Sequence, residues 1–446
     1  MSPRPLLLRN GRIFDPSQNL DLQGDIYLRN GKIESIARSI PLNRETGALV
    51  LDVSGHIVTP GWIDMHTHLR EPGQSHKETI KTGTDAAAAG GFTSVACMAN
   101  TNPVNDNSFI TSFIYQKASS ESDINVYAIG AITKGLKGEE LAEIGAMFEA
   151  GIVGLSDDGK TVMNSYIMRK AMDYSKRFDL VVISHAEDAH LKGRGVMNEG
   201  FNSARYGLRG IPKASEEIIV ARDILLAELT GARLHIAHAS TAGTVHLVRE
   251  AKRRGVKVTA EVTPHHLTLT DEAVGNYDTN TKVAPPLREP QDVEVLCEAF
   301  KDGTIDVLAS DHAPHSVEDK EVEYDLAEFG MVGLETAFPL YHRLSLEKGI
   351  PLERLISAMT VKPAEILGIQ KGSLRIGSDA DITVFDPQAK FKVDKEKFRS
   401  KSRNTPFHGH DVQGEVLYTI VGGKVVFRAP RVARTTEGAA GEGGRE

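Results

Sequence analysis

Two histidines one residue apart, His66 and His68, sit in the stretch WIDMHTHLREPG at residues 62–73. Alternate side chains of an extended strand share a face, so both imidazoles can reach one ion. Other groups that bind metals or protons recur where apolar runs end: Asp64, Asn100, Asp157, Asp158, His185, His238, His265, His266, Asp311, His312 and His315. One buried histidine alone is ordinarily a hydrogen-bonded core residue. Six or more such groups at strand ends are hard to explain by packing. His185, His238 and Asp311 complete a ligand set of nitrogen and oxygen, which suits zinc, with manganese or cobalt as substitutes. Asp158, in GLSDDGK, has two carboxylate oxygens and could bridge two ions, although Asp-Asp-Gly is also an ordinary turn. Asp157 would face the other way in a regular strand.

The chemistry follows from charge. Zinc lowers the pKa of bound water from about 16 to about 7, so hydroxide is present at neutral pH and can attack a polarised carbonyl. Asp311 could then carry the proton to a leaving nitrogen. Arg70, two residues past the histidine pair, could grip a substrate carboxylate with both guanidinium nitrogens; the alternative is a surface salt bridge. Asp64 is expected to orient a ligand imidazole.

These residues need a scaffold that gathers strand ends. Eight short apolar runs read as buried parallel strands: IVTPGWIDMH, TSVACMAN, NVYAIGAI, GIVGLSD, LVVISHAE, RLHIAHAS, VTAEVTPHH and IDVLASDHAP. Helical patterns separate most of them. In SEEIIVARDILLAELTG, Ile218, Ala221, Leu225 and Leu229 share one face and Gly231 ends the helix. Eight strand–helix units predict an α/β fold, a (β/α)8 TIM-like barrel whose strand C-termini converge on one mouth. A doubly wound open sheet is the alternative, weakened because no G-x-G-x-x-G follows any strand. Both ends of the chain read instead as short strands and turns, with Asn-Gly at 10–11 and 30–31 and Gly-Gly at 422–423. The expected organisation is a small β-sandwich from residues 1–56 and 369–430, a barrel over 57–368, and a disordered tail over 431–446.

Composition excludes other classes. The 446 residues carry a net charge of −8, so no nucleic-acid partner is expected. No apolar run reaches the ~18 residues of a membrane span, and the leucines at 6–8 are too few for a signal-peptide core. The two cysteines, Cys97 and Cys297, make neither a cysteine zinc site nor a disulfide framework. The default reading is a cytoplasmic enzyme.

The motifs DMHTHLREPG, MANTNPV, SDDG, SHAED, AHAST, TPHHL, KVAPPLR, SDHAPHS and FGMVGLET together resemble dihydroorotases of the class I bacterial type, over nearly the whole chain to about residue 428. The resemblance implies the amidohydrolase superfamily, a distorted barrel with a β domain from both ends, and reversible interconversion of N-carbamoyl-L-aspartate and L-dihydroorotate in pyrimidine biosynthesis. It implies one or two zinc ions per subunit: His66, His68 and Asp311 on one, His185 and His238 on the other, Asp158 bridging. Asp311 resembles the general acid/base that serves a metal-bridging hydroxide. Arg70, Asn100 and His315, with His68 beside them, resemble the grip on substrate, and the backbone around Phe329 and Gly330 resembles the loop at the pyrimidine ring. A homodimer, and a complex with aspartate transcarbamoylase, are the partners implied besides the small-molecule substrate. Related hydantoinases and allantoinases bridge their metals with a carboxylated lysine; here Asp158 occupies the fourth-strand position. The sequence departs from the family at Ala284, where N-P-P-L-R is usual. Losing one hydrogen bond there costs about 0.5–1.5 kcal/mol, a weakening rather than a loss of activity.

Overall fold

The computed structural model describes residues 4–41 and 47–432. All eight apolar runs contain strands: β1 (Trp62–Thr67), β2 (Phe92–Cys97), β3 (Asn125–Gly130), β4 (Gly154–Ser156), β5 (Val181–Ser184), β6 (Leu234–Ile236), β7 (Val258–Val262) and β8 (Val307–Leu308). They pair in parallel in chain order. A parallel bridge between Thr67 and His312 brings the end of β1 to the segment after β8, so the sheet curls into a barrel rather than an open sheet. Both faces are apolar, as a parallel sheet between helices requires. Val95, Cys97, Ala128, Leu155, Val182, Ile236 and Ala260 pack with the helical layer. Ile63, Met65, Ala96, Ile129, Val181, Ile183 and Val307 form a separate buried cluster with Ala364, Ile366 and Leu367 of the helix Val361–Leu367. That helix lies at the N-terminal end of β6, where Arg233 donates to the Glu365 and Ile366 carbonyls. The opposite, C-terminal end is left for polar side chains.

The chain ends build a second eight-stranded sheet with its own core, including Leu6, Ile26, Leu51, Ile382 and Ile420. Strand Ile57–Pro60 belongs to it, between Leu6–Asp15 and Ile382–Lys392; the first apolar run therefore serves two sheets, with Gly61 between them. Asn30 and Gly31, both at positive φ, turn Leu20–Arg29 into Lys32–Ala37 as a hairpin. Asn10–Gly11 does not turn. It lies within the strand Leu6–Asp15, at a register shift against Leu20–Arg29, and the Asn10 N–H donates to Asp25 Oδ1 at 2.9 Å. The tail expected to be disordered lies outside the described residues except for Arg431 and Val432, and Arg431 pairs with Asp386 at 2.7 Å.

The helix Ala214–Thr230 turns the other way from expectation. Ile219, Val220, Ile224 and Ala227 are buried, whereas Ile218, Leu225 and Leu229 are 51%, 63% and 65% exposed. Apolar residues occur all around this helix, so periodicity does not single out a stripe. Buried polar tethers fix the rotation: Asp223 accepts from Ser184 Oγ at 2.6 Å, and Glu216 accepts from the Ser240 backbone N–H at 3.0 Å and from Thr244 Oγ1 at 2.7 Å.

Candidate metal centre

His66 and His68, at and just past the end of β1, have ring centroids 5.5 Å apart. His66 lies 5.1 Å from His238, which follows β6, and His238 lies 4.8 Å from His185, which follows β5. Asp158, just after β4, stands at the centre. Its Oδ1 is 3.3 Å from His66 Nε2, 3.4 Å from His185 Nδ1 and 3.5 Å from His238 Nε2, and its Oδ2 is 3.4 Å from His68 Nε2. Asp311 Oδ1 is 3.3 Å from His68 Nε2 and 3.6 Å from His66 Nε2. Two metal-sized groups of ligand atoms result, His66–His68–Asp158 and Asp158–His185–His238, with Asp158 common to both.

The donor set fits metal ions. His66 Nε2, Asp158 Oδ1 and His238 Nδ1 are buried without a hydrogen-bond partner, and orphaned polar atoms of this kind call for an ion or water. Charge points the same way. Burial opposes ionisation of Asp158 and Asp311, but the neighbouring imidazoles outweigh it and hold both carboxyls well below their ordinary range. Burial likewise opposes protonation of His185, and the Asp158 and Glu187 carboxylates outweigh it, lifting the imidazole to about 9. This is an acid-rich nest whose negative charge favours cations. The backbone is held in sparsely populated conformations at the same place: Arg70, His238 and Asp311 have φ of 60°, 33° and 48°.

Beside this centre lies a cavity of about 320 Å³, lined among others by His68, Arg70, Asn100, Ala284, His315, Phe329 and Gly330. Asn100 Oδ1 is 2.9 Å from His68 Nδ1. Arg70 is buried and donates from Nε to the Pro314 carbonyl at 3.1 Å, with Nη2 3.3 Å from His315 Nε2; it is not a surface ion pair. Desolvation lowers its pKa to about 10, so it stays charged at neutral pH. His315 Nε2 is 2.9 Å from the Phe329 carbonyl and Nδ1 is 3.2 Å from Lys77 Nζ; a neutral ring donating from Nε2 and accepting at Nδ1 satisfies both, and Arg70 Nη2 then touches Nε2 without a hydrogen bond to it. Two ammonium groups, Lys192 and Lys282, each lie 4.6 Å from the centroid of the Phe329 ring.

Other polar strand-end residues do structural work. Asp157 points away from Asp158 and accepts the backbone N–H of Ile132 and Thr133 at 2.8 and 3.0 Å. His266 bridges Thr263 Oγ1 and the Pro285 carbonyl, and burial pushes its pKa down to about 3. His312 Nε2 meets Glu78 at 3.3 Å. Asp64 does not orient an imidazole: it accepts the backbone N–H of His66 and Ser310, tying β1 to the segment after β8. The strand register shifts between Asp64 and Thr67, so strict alternation past Asp64 breaks down. The carboxylate on His66 is instead Glu261 of β7, whose Oε1 is 2.5 Å from His66 Nδ1, while Oε2 is 3.1 Å from His235 Nε2. Sequence reasoning missed Glu261, although an acid inside the apolar run VTAEV is itself the signal, because a buried carboxylate requires a partner.

Comparison with known proteins gives the family of the chain. The family described as Dihydro-orotase-like matches residues 55–244, and the family described as Amidohydrolase family matches residues 221–427. The chain is 56% identical over 425 residues to the dihydroorotase of Pelotomaculum thermopropionicum, covering 95% of this chain and 98% of that one. It is 53% identical over 423 residues to the dihydroorotase of Geobacter metallireducens, covering 95% and 99%. Among solved structures it resembles the L-hydantoinase (dihydropyrimidinase) from Arthrobacter aurescens, with a TM-score of 0.85 and 28% identity over 96% of each chain.

Proposed function

Because the chain belongs to the dihydroorotase family, we propose that it is a zinc-dependent cyclic amidohydrolase that interconverts N-carbamoyl-L-aspartate and L-dihydroorotate in de novo pyrimidine biosynthesis. The observation that carries this reading is Asp158 standing within 3.5 Å of four imidazoles from three different parts of the barrel mouth. His66, His68 and Asp311 would hold one ion, His185 and His238 the other, with Asp158 between them. Metal ions bound there supply hydroxide at neutral pH and polarise a carbonyl. The protein's own residues do the rest. Asp311, ionised in the resting site, takes the proton from the attacking oxygen and returns it to the ring nitrogen as the amide opens; ring closure runs the same transfers backwards. Arg70 pairs with the substrate carboxylate, and Asn100 and His315 accompany it, so the ring is oriented before reaction. Phe329 and Gly330 line the cavity beside the ring, and His68 faces the same cavity.

On this reading residues 57–368 carry the catalytic barrel and residues 1–56 and 369–430 the supporting β domain, whose sheet also takes in the strand Ile57–Pro60. We assign the protein to the cytoplasm, where its two buried free cysteines remain reduced, as a homodimer that can dock on aspartate transcarbamoylase. No helix among the described residues is long and apolar enough to cross a membrane.

The likeness to an L-hydantoinase favours one second reading, a cyclic amidase for hydantoins. A hydantoin ring without a carboxylate would leave the buried Arg70 unpaired, which argues against it. Assaying the purified protein with L-dihydroorotate, N-carbamoyl-L-aspartate, hydantoin and allantoin decides. Turnover of the first two supports the proposal; ring opening confined to hydantoin or allantoin refutes it.

A further inference from the structure

Asn404 lies far in sequence from every motif of the metal centre, on the C-terminal segment between the strands Ile382–Lys392 and Asp411–Val421. It is buried, and its side chain is spent on two cavity loops. Oδ1 accepts the His315 backbone N–H at 3.1 Å, and Nδ2 donates to the Ala313 and Gly330 carbonyls, both at 3.1 Å. Its own carbonyl accepts the Val332 N–H at 3.0 Å. Both amide hydrogens and the amide oxygen are therefore used, and the acceptors and donors belong alternately to residues 313–315 and 330–332.

The two loops are in close contact at that point. A Cβ on Gly330, whose φ is 136°, would come within 2.7 Å of Ala313 Cβ and 3.1 Å of His315 Nε2. On the far side, Gly330 N–H donates to the Lys282 carbonyl at 2.8 Å. His315, Phe329 and Gly330 line the cavity, and the Asn404 side chain, outside that lining, ties together the two loops that carry them.

We propose that Asn404 is a positioning residue that sets the spacing between the carboxylate grip at His315 and the ring-contacting backbone at Phe329 and Gly330, so that the β domain formed by the chain ends tunes substrate affinity in the barrel. The inference rests on the dihydroorotase reading of the cavity. Asn404 touches neither the metal ligands nor the reacting atoms, so its loss raises KM far more than it lowers kcat.

The test uses the full-length, zinc-loaded protein and the variants Asn404→Ala, Asn404→Asp and Gly330→Ala, with kcat, KM for L-dihydroorotate, zinc per chain and amide hydrogen exchange measured on each. Asn404→Ala is expected to raise KM at least tenfold, leave kcat within threefold and zinc unchanged, and speed exchange at least tenfold in residues 313–316 and 330–333 while the barrel strands stay protected. Asn404→Asp matches asparagine in shape but sets a carboxylate against two carbonyls, so it should be no better than alanine. A residue that only filled space would be restored by it. If Asn404→Ala does not fold, Gly330→Ala forces the loops apart from the other side and should give the same rise in KM. Unchanged KM, unchanged loop exchange, or rescue by Asn404→Asp overturns the inference. Lack of dihydroorotate turnover in the parent would instead condemn the functional reading, and loop exchange would still judge the clamp.

Discussion

Asp311 and Asp158 are the same side chain in two settings at one mouth. Both acids line the cavity; Asp158 has imidazoles within 3.5 Å of both its oxygens, whereas Asp311 meets His68 and His66 through Oδ1. That leaves Asp311 able to face a substrate, so Asp311→Asn should lower kcat by roughly 10²–10⁴, the usual worth of a positioned proton carrier; a rate within tenfold of the parent would remove it from that role. Glu261 acts one step back. By accepting from His66 Nδ1 it fixes the tautomer that presents Nε2 to a metal, and its Oε1 also receives the His238 backbone N–H at 3.2 Å. Glu261→Gln should weaken zinc binding by roughly 10- to 100-fold in a chelator competition. Parental affinity would show that the tautomer is set elsewhere. Both histidine pairs and both acids of the centre were legible in the sequence because each falls at the end of an apolar run. Glu261, Asn404 and Lys77 were not, because partners of a side chain are chosen by the fold and carry no fixed spacing from it.

At the scale of elements, strands were easier to read than helix faces. Each barrel strand is a short apolar run buried on both sides, so its position needs no register. The helix Ala214–Thr230 required a choice of stripe, and buried acids made the choice rather than leucines. The consequence is measurable: Ile224→Ala should destabilise the protein by about 2–5 kcal/mol, whereas Leu225→Ser, its neighbour on the exposed face, should change stability by no more than about 0.5 kcal/mol. Urea titrations giving the reverse order would contradict the observed rotation. The segment before Phe329 supplies a pH test. Lys320 Nζ is buried and donates to the Thr279 and Glu328 carbonyls at 3.0 and 2.6 Å. Burial, helped by the Lys282 charge, lowers its pKa to about 7. An unfolded lysine titrates near 10.4, so between about pH 7 and pH 10 the unfolded chain holds the extra proton and stability rises with pH. Tm of the parent relative to Lys320→Met should therefore climb across that interval; a flat or falling difference would mean that Lys320 stays charged in the fold.

The whole molecule explains why so scattered a set of residues can act together. The candidate ligands run from His66 to Asp311, nearly the whole barrel, and each reaches the centre only because parallel strands point their C-terminal ends at one mouth. β8 has only two residues, and closure there depends on the bridge from Thr67 to His312 and on the His68 N–H donated to the His312 carbonyl at 2.9 Å. The β domain is part of the same device, since its segment carrying Asn404 reaches back to the cavity. The sequence announced two β-rich ends but not this reach, which depends on tertiary packing alone. The most direct test of the central claim is turnover of L-dihydroorotate by chelator-stripped protein as zinc is added back. The account predicts no turnover without metal and a rise that saturates at no more than two zinc ions per chain. Full turnover by the stripped protein, or none at any zinc level, would contradict it.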